Sequence, residues 1–449
     1  MTASPEIIVG ITIMPPKHRD GSENLDGFMS NGLEQNSIFL YDVLREVDGI
    51  HPKLVTMPGR LPEENWDATN PFYLDKYTGI GPGYAVFNID EFTTKYTLNV
   101  LLMPSVTPPV QTIKALRKAN TKIIAVEYGH KFVMSMETMT YGHLYDKTRE
   151  AHAGVSLNVV LPGLLDGVMY SPHFEEARQH IAYSHGVPLH MTQPCPYVWH
   201  PKIINAIMDK EKKAKPEMVS PYFSIGDKRN RSIYTVEPNV NVVKTNLVSV
   251  AVVELLEQHR PESFDMMYMF GAAPRLVTNP AFIQRVKNSP IASPRGTTNI
   301  PKVSFEGRRM MSAVYSYARV QFAHQWHCPL NYTLLEAAYY HHPLVHNSPF
   351  LSEMGYYYHM NNVFDAANLT FRALRHEERD DLETYNHACD KVVEKYLTTN
   401  PMNREGYRSL IRYFYNGGGS PITLPSYIED HANDLRYGAG NIAPYNFLQ

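Results

Sequence analysis

The sequence predicts an α/β protein with two halves, each built on a parallel sheet covered by helices. Nearly continuous apolar runs, such as Glu6–Ile13 (EIIVGITI) and Met266–Phe270 (MMYMF), are typical of strands that are buried on both faces. Segments with helical periodicity lie between these runs, and a regular alternation of strand and helix favours a parallel sheet. The alternation starts again near residue 220, and a length of 449 residues favours two domains of similar size.

The predicted elements follow one another along both halves, with apolar runs as strands and apolar positions three or four residues apart as helices. In the first half, we predict strands at 6–13, 53–57, 99–104, 122–128 and 155–161, and helices at 36–47, 109–119 and 174–184. In the second half, we predict strands at 232–236, 266–270, 302–305, 320–324 and 343–346, and helices at 245–258, 280–286, 310–317 and 332–340. Residues 58–95 are rich in Pro, Gly, Asn and Tyr, and we interpret them as an insertion outside the core.

Composition and charge exclude several classes of protein. A hydrophobic fraction of 43% and a charged fraction of 19% are those of a folded chain. The net charge of −3 excludes a globally basic nucleic-acid binder but leaves room for a local basic face. No apolar run is long enough for a transmembrane helix, and Met1–Glu6 lacks the basic start of a signal peptide, so we expect a cytoplasmic protein. The three cysteines are too widely spaced to predict a disulfide framework or a cysteine zinc site.

Ligands of open α/β sheets bind beyond the carboxyl ends of the strands, so the loops there are the first places to look. After the strand at 232–236 come Glu237, Asn239 and Lys244, the last of these near the start of a helix. Backbone N–H groups and the positive end of the helix dipole favour an anion at this point, and a lysine can neutralise a diphosphate. The alternative for Lys244 is an ordinary exposed lysine.

The loop after the strand at 320–324 carries a second group of polar residues. His324 ends the strand, and Asn331 and Tyr332 begin the next helix, where both side chains can donate hydrogen bonds to phosphate. Glu336, one turn later, can accept hydrogen bonds from a ribose diol. The alternative for Glu336 is an exposed helix residue without a ligand.

In the first half, Glu127, His130 and Lys131 follow the strand at 122–128 and form a candidate acid/base cluster. The alternative is an ion-paired strand end. His341, His342 and His346 lack a carboxylate at ligand spacing, and no Asp-x-Asp follows an apolar strand. The sequence therefore predicts no metal site.

Several segments of the second half resemble an uncharacterised family of bacteria and tailed phages, a domain of unknown function that is itself similar to GT-B glycosyltransferases. The segments are YTVEPNVNVVKTNLV (234–248), VSFEGR (303–308), HQWHCPLNYTLLEAAYYHHPLVHNSPFL (324–351) and MGYYY (354–358), joined in the first half by NGLEQNSIFLYDVL (31–44) and KFVMSMETMTYG (131–142). The resemblance implies a GT-B-like fold, in which two Rossmann-like domains face each other across a cleft with their parallel sheets.

The resemblance also implies boundaries for these domains. Residues 1–218 would form the acceptor-side domain, with the insertion at about 58–95, and residues 219–400 the domain that binds a nucleotide-sugar. Residues 401–449 would form a final helix and a tail that pack back onto the first domain, as GT-B chains often do.

Roles for individual residues follow from the same resemblance. Lys244 would hold the donor diphosphate, and Glu336 would bind the donor ribose as the second glutamate of an E-x7-E motif. Cys328 stands where the first glutamate is expected, with His324 or His327 as candidate replacements, so the stereochemistry of transfer stays open.

His346 and Asn347 would line the donor pocket, while Glu127 or His130 would act as the base in an inverting reaction.

The expected function is transfer of a hexose or pentose from a UDP- or GDP-sugar, with no tightly bound cofactor and no metal. The candidate acceptor is a hydroxymethylated pyrimidine in phage DNA, reached through a local basic face. The alternatives are a surface glycan or other saccharide as acceptor, and a non-catalytic protein that binds nucleotides or glycans.

Overall fold

The computed structural model of the chain describes residues 6–14, 32–57, 71–74, 80–141, 163–216, 220–223, 230–237, 239, 242–271, 279–292, 301–307, 314–315, 318–376 and 381–428. No helix among these residues has the length and apolar character needed to cross a membrane. The three cysteines are all described, and each is buried and unpaired.

The first sheet contains mostly parallel strands from the N-terminal half. The strands are β1 (Ile7–Thr12), β2 (Ile50–Thr56), β3 (Phe72–Tyr73), β4 (Ala85–Asn88), β5 (Val100–Met103), β6 (Lys122–Glu127), β7 (Gly167–Tyr170) and β8 (Thr192–Pro194). Their order in the sheet is β3-β4-β2-β1-β5-β6-β7-β8, and only the pairing of β3 with β4 is antiparallel among these described strands. β1 lies near the centre, where Val9 pairs with Pro52 on one side and Val100 on the other.

The second sheet is parallel throughout the described residues. Its strands are β9 (Ser232–Thr235), β10 (Met266–Phe270), β11 (Val303–Glu306), β12 (Val320–Ala323), β13 (Leu344–His346) and β14 (Tyr356–Tyr357). They are ordered β11-β10-β9-β12-β13-β14, so the chain reverses its direction across the sheet between β9 and β12. In the first sheet the same reversal falls between β1 and β5. A crevice for ligands opens at such a reversal.

Helices cover both sheets. They are α1 (Gly32–Leu44), α2 (Val110–Lys118), α3 (Lys131–Tyr141), α4 (Arg178–His185), α5 (Lys202–Ala214), α6 (Leu247–His259), α7 (Pro280–Lys287), α8 (Tyr332–Tyr339), α9 (Val363–Leu374), α10 (Leu382–Tyr396) and α11 (Pro401–Tyr415). In the second half, α9 packs on β13 and on α6, and α8 packs on α10. The predicted fold class, an α/β protein with two sheets of mostly parallel strands, is confirmed.

The last helix, α11, follows the second sheet in sequence but packs against α1 and β6 of the first. The Tyr407 hydroxyl donates to the carbonyl oxygen of Pro196 at 2.7 Å, and the Tyr413 hydroxyl donates to that of His190 at 2.8 Å. These contacts join the end of the described chain to loops around the first sheet.

Most predicted strands and helices are present, with ends shifted by a few residues, but the interpretation of residues 58–95 as an insertion is wrong in part. β4 pairs in parallel with β2, and its Val86 is fully buried, so it belongs to the core sheet. Short strands between Pro- and Gly-rich segments give too little periodicity to be recognised, which also explains why β7, β8 and β14 were not predicted. The strand predicted at 155–161 lies outside the described residues.

Gly167 allows β7 to lie directly against α11. A Cβ atom at this position would stand 2.6 Å from Cδ1 of Phe414 and 3.1 Å from the carbonyl oxygen of Met191. Because Phe414 is fully buried, we expect Gly167→Ala to lower the free energy of unfolding by about 1–3 kcal/mol, measured by urea unfolding. Gly32→Ala is the matched control, since a Cβ atom there meets nothing within 4 Å. Equal effects of the two substitutions would contradict this packing argument.

Candidate functional site

The carboxyl ends of the two sheets face each other, and loops from both meet in a cleft. His130 follows β6, and Glu176 lies in the 3₁₀ turn Pro172–Ala177 that follows β7. From the second sheet, Lys244 follows β9 and His327 follows β12. Nδ1 of His327 lies 2.8 Å from Oε1 of Glu176 across the cleft.

A second contact crosses the cleft from α3. The backbone N–H of Val242 donates to Oε1 of Glu137 at 2.6 Å. The backbone of the loop between β9 and α6 is therefore tied to the first sheet's side.

His130, Glu176 and His327 form one cluster at this point. Nε2 of His130 lies 3.0 Å from Oε1 of Glu176, the same oxygen that His327 contacts. Hydrogen bonds from both imidazoles lower the pKa of Glu176 to about 2, so this carboxylate is anionic over the whole useful pH range. The hydrogen bond with Glu176 in turn raises the pKa of His327.

Glu237 and Gln325 close the crevice between β9 and β12. Nε2 of Gln325 lies 2.9 and 3.1 Å from the two carboxylate oxygens of Glu237. Burial raises the pKa of Glu237 to about 7, against the opposing charge of Lys244 and the hydrogen bond from Gln325. This carboxyl group is therefore partly neutral near pH 7.

Lys244 is half-buried beside this crevice, three residues before α6 begins. Its charge lowers the pKa of His173 and opposes the rise in the pKa of Glu237. The ammonium therefore acts on one residue from each side of the cleft. No hydrogen bond or ion pair joins its side chain to a residue that the structure describes. The cation is therefore half-buried and without a protein partner among the described residues, and its role in holding a diphosphate stays a prediction.

Asn239 shapes the loop that carries Lys244. Its backbone has a φ of +52°, in the left-handed region that asparagine tolerates. Its amide nitrogen donates to the carbonyl oxygen of Glu237 at 2.7 Å, and its Oδ1 accepts from the N–H of Asn246 at 2.9 Å. Both polar atoms of Asn239 are therefore used inside the loop.

Three of the predicted donor residues, His324, His346 and Asn347, hold the segments that follow β12 and β13. Nδ1 of His324 lies 2.9 Å from the hydroxyl of Tyr358. His346 uses one ring nitrogen towards the carbonyl oxygen of Met354 at 3.1 Å and the other towards the N–H of Ser348 at 3.2 Å. Burial lowers the pKa of both histidines to about 4, so both are neutral.

Asn347 directly follows β13 and binds the backbone of the loop after β12. Its amide accepts from the N–H of Gln325 and donates to the carbonyl oxygen of Gln325, both at 3.0 Å. This pair of bonds fixes the backbone of Gln325 opposite Glu237.

Asn331 and Tyr332 set the start of α8. The Asn331 side chain caps the helix by accepting from the N–H of Thr333 at 3.2 Å. The Tyr332 hydroxyl donates to Oδ1 of Asn36 in α1, and its ring centroid lies 5.2 Å from those of Phe39 and Tyr197. Tyr332 therefore connects the two halves of the molecule, and its hydroxyl is occupied by Asn36 in this structure.

Glu336 lies inside the molecule, with 5% of its surface exposed, and so is not the exposed helix residue of the alternative interpretation. Its Oε2 is buried without a hydrogen-bond partner in the described part of the chain. Burial raises the pKa of Glu336 to about 8, so it is a neutral carboxylic acid at pH 7. In that form it can donate one hydrogen bond as well as accept others.

Glu127 and His130, predicted as one cluster, belong to separate pairs. Oε1 of Glu127 lies 2.6 Å from Nε2 of His185 and 3.8 Å from Nζ of Lys131. Burial would raise the pKa of Glu127, but the His185 hydrogen bond and the Lys131 charge outweigh it and lower the pKa. The alternative of an ion-paired strand end describes Glu127, while His130 pairs with Glu176 instead.

His173 is a site residue that the sequence analysis missed. It is 3% exposed, and neither ring nitrogen has a hydrogen-bond partner among the described residues. Burial, with the charges of His130 and Lys244, lowers its pKa well below 6.5. His173 and Glu176 both follow the strand β7, GVMY, but this apolar run is too short for the sequence to identify it as a strand and to point to the loop after it.

The buried carboxyl group of Glu336 makes stability depend on pH. The pKa of Glu336 is about 8 in the folded state, above the ordinary value of 4.5, so the folded state binds its proton more tightly. The contribution of this group to the free energy of unfolding is therefore lost as the pH rises from 4.5 to 8. We expect Glu336→Gln to become more stable relative to the parent protein by up to about 1.4 kcal/mol per pH unit over that interval. Urea unfolding at several pH values measures the difference, and a difference that does not change with pH would contradict the assignment.

Solved structures of low sequence identity are similar to this chain, and the one with a TM-score above 0.5 shares the arrangement of the two sheets. A UDP-forming α,α-trehalose-phosphate synthase from Burkholderia xenovorans, solved with glucose-6-phosphate, aligns with a TM-score of 0.51 and 10% identity, covering 90% of this chain and 100% of its own. A glycosyltransferase from Rickettsia africae aligns with a TM-score of 0.47 and 13% identity, covering 93% of this chain and 100% of its own. Anabaena HepE, solved with UDP-glucose, aligns with a TM-score of 0.47 and 10% identity, covering 90% and 100%.

Two parallel sheets that face each other through their carboxyl ends form the GT-B fold, as the sequence resemblance implied. No curated protein matches the sequence significantly. The profile of DUF2827, a family described as protein of unknown function, matches residues 9–411, and the chain therefore belongs to the DUF2827 family.

Proposed function

We propose that the protein is a glycosyltransferase, which moves a sugar from a nucleotide-sugar to an acceptor hydroxyl. The observation that carries this proposal is the pair formed by Lys244 and His173. The Lys244 ammonium, which has no protein partner among the described residues, contributes to the lowered pKa of His173, a buried imidazole whose two nitrogens have no partners there either. Both lie where the carboxyl ends of the sheets converge, and a diphosphate supplies the charge and the acceptor oxygens that the pair lacks.

Stabilisation of the leaving diphosphate is the main catalytic contribution in this proposal. Negative charge develops on the diphosphate as the bond to the sugar breaks, and Lys244 and His173 would both interact with it. Glu336 would hold the donor ribose, which suits a neutral acid that both donates and accepts. Glu127 or His130 would take the proton of the acceptor hydroxyl if the reaction inverts.

In this proposal, residues 219–400 bind the donor and residues 1–218 face the acceptor, with the region from 401 packed back on the first domain. UDP is the first nucleotide to test, because the Burkholderia synthase of the same fold is UDP-forming. GDP is the second. The proposed acceptor is a hydroxymethylated pyrimidine in DNA, for which Lys212, Lys213 and Lys215 at the exposed end of α5 offer a local basic face.

Loss of the Lys244 ammonium should weaken nucleotide binding. We expect Lys244→Ala to reduce the affinity for UDP about tenfold to a hundredfold, because one charge-assisted contact to phosphate is removed. Lys244→Arg should restore only part of it, since a planar guanidinium does not reproduce a compact ammonium. Calorimetry with UDP and with GDP measures this, and Lys212→Ala, an exposed lysine of α5, is the matched control. Unchanged affinity in a folded Lys244→Ala protein would show that the phosphates bind elsewhere.

The acceptor can be tested directly with labelled donor. We expect label to enter DNA that contains 5-hydroxymethylcytosine and not the same DNA without the modification, because only the former has a hydroxyl on the base. The base must leave the duplex to reach the cleft, so a single-stranded substrate should react at least as well. Label in an oligosaccharide but in neither DNA would assign a saccharide acceptor. Nucleotide binding with no transfer to any acceptor would favour the non-catalytic alternative.

A further inference from the structure

We infer that His130, Glu176 and His327 form a binding site for a divalent cation of the zinc class, which links the two sheets. One atom from each residue can serve as a ligand: Nε2 of His130, Oε1 of Glu176 and Nδ1 of His327. Candidate ligand atoms from these three residues all lie within 4.8 Å of one another. The first two residues belong to the first sheet's loops and the third to the second sheet's.

The distances fit a metal ion after small side-chain movements. Zinc lies about 2.0–2.2 Å from nitrogen and oxygen ligands in proteins, so neighbouring ligands of a tetrahedral ion are roughly 3.3 Å apart. The observed separations are 3.0 Å between His130 and Glu176 and 2.8 Å between His327 and Glu176. The rings of the two histidines are nearly perpendicular, with centroids 5.9 Å apart, so they do not block each other.

The chemistry of the ligands selects the ion. Imidazole suits zinc and its transition-metal neighbours, whereas magnesium and calcium prefer ligand sets made of oxygen. A metal ion binds Glu176 as a carboxylate and each imidazole through a nitrogen that carries no proton, so the affinity should fall as the pH falls. Two imidazoles and one carboxylate leave one position of a tetrahedral ion for water or a ligand in the cleft.

The surroundings allow an ion to enter and hold the ligands in place. His130 is buried, with its ring 5.0 Å from that of Phe174, while the side chains of Glu176 and His327 are 35% and 41% exposed. His327 has a φ of +50°, which is uncommon for a non-glycine residue and aims its ring at Glu176. Nδ1 of His130 lies 3.5 Å from the N–H of Val133, a long contact that is easily given up when Nε2 binds a metal.

The three proposed ligands lie far apart in the sequence, so no sequence motif predicts this site. Glu176 lies 46 positions from His130 and 151 positions from His327. The inference does not rest on the proposed transfer reaction. If the ion is bound, His130 cannot take a proton, and Glu127 is then the candidate base.

Zinc binding to the full-length protein tests the inference without any nucleotide. After treatment with a chelator, we expect calorimetry with zinc chloride to show one tight site per chain and magnesium chloride to show none. Glu176→Gln and His327→Gln should each weaken this site about tenfold or more, because each removes one ligand. His341→Gln is the matched control, since His341 pairs with Asp390 at 2.7 Å and belongs to neither the proposed site nor the cleft.

Two further measurements keep the test independent of folding and of surface histidines. Zinc should raise the melting temperature of the parent protein and of His341→Gln more than that of Glu176→Gln at the same zinc concentration, because the ion binds only the folded state. Cobalt should give the visible absorption of a tetrahedral ion in the parent protein and lose it in His327→Gln. A parent protein without a tight zinc site would overturn the inference, and so would equal zinc binding by the parent protein and both ligand variants. Either result would leave a carboxylate that bridges two histidines by hydrogen bonds alone.

Discussion

In a parallel sheet, the loops that follow the strands all lie at the edge formed by the carboxyl ends of the strands. In this protein, those edges of the two sheets face each other. The loops after β6, β7, β9 and β12 therefore meet, although they come from distant parts of the chain. Contacts of Glu176 with His327 and of Glu137 with the backbone of Val242 fix this arrangement. Tyr332 adds a buried connection between α8 and α1. Every group that we assign to the cleft depends on this facing of the two sheets.

Burial and hydrogen bonding divide the carboxyl groups of the cleft into two kinds. Glu336 and Glu237 belong to the second sheet's side, and their pKa values are raised because burial dominates. Glu176 and Glu127 belong to the first sheet's side, and histidine donors lower their pKa values. Anionic carboxylates thus concentrate on the first sheet's side, while partly or fully neutral acids lie on the second, where the Lys244 charge acts on Glu237. The proposed diphosphate would therefore meet less negative charge on the second side, and the proposed cation would meet more on the first.

The histidines show the same division between framework and function. His346 has both nitrogens bonded to backbone atoms of the segment after β13, and His324 in the loop after β12 contacts Tyr358, so these two rings stabilise the framework. His173 keeps both nitrogens without partners among the described residues. His130 and His327 share one carboxylate oxygen across the cleft. Residue type alone does not separate these roles, because each depends on what lies within about 3 Å of the ring.

The sequence by itself determined the two-sheet α/β fold, because apolar runs of five or more residues record strands that are buried on both faces. It also identified the loops after β6, β9 and β12, and the polar residues in them. Only the tertiary structure decided which of these residues meet, since His130 pairs with Glu176 rather than with Glu127, and His327 joins them from the other sheet. It also decided that β4 belongs to the core and that Glu336 is buried and neutral. The physical reason is that the pairing of side chains and the desolvation of carboxyl groups arise from contacts between distant segments. The local sequence pattern indicates only which faces of each segment are buried.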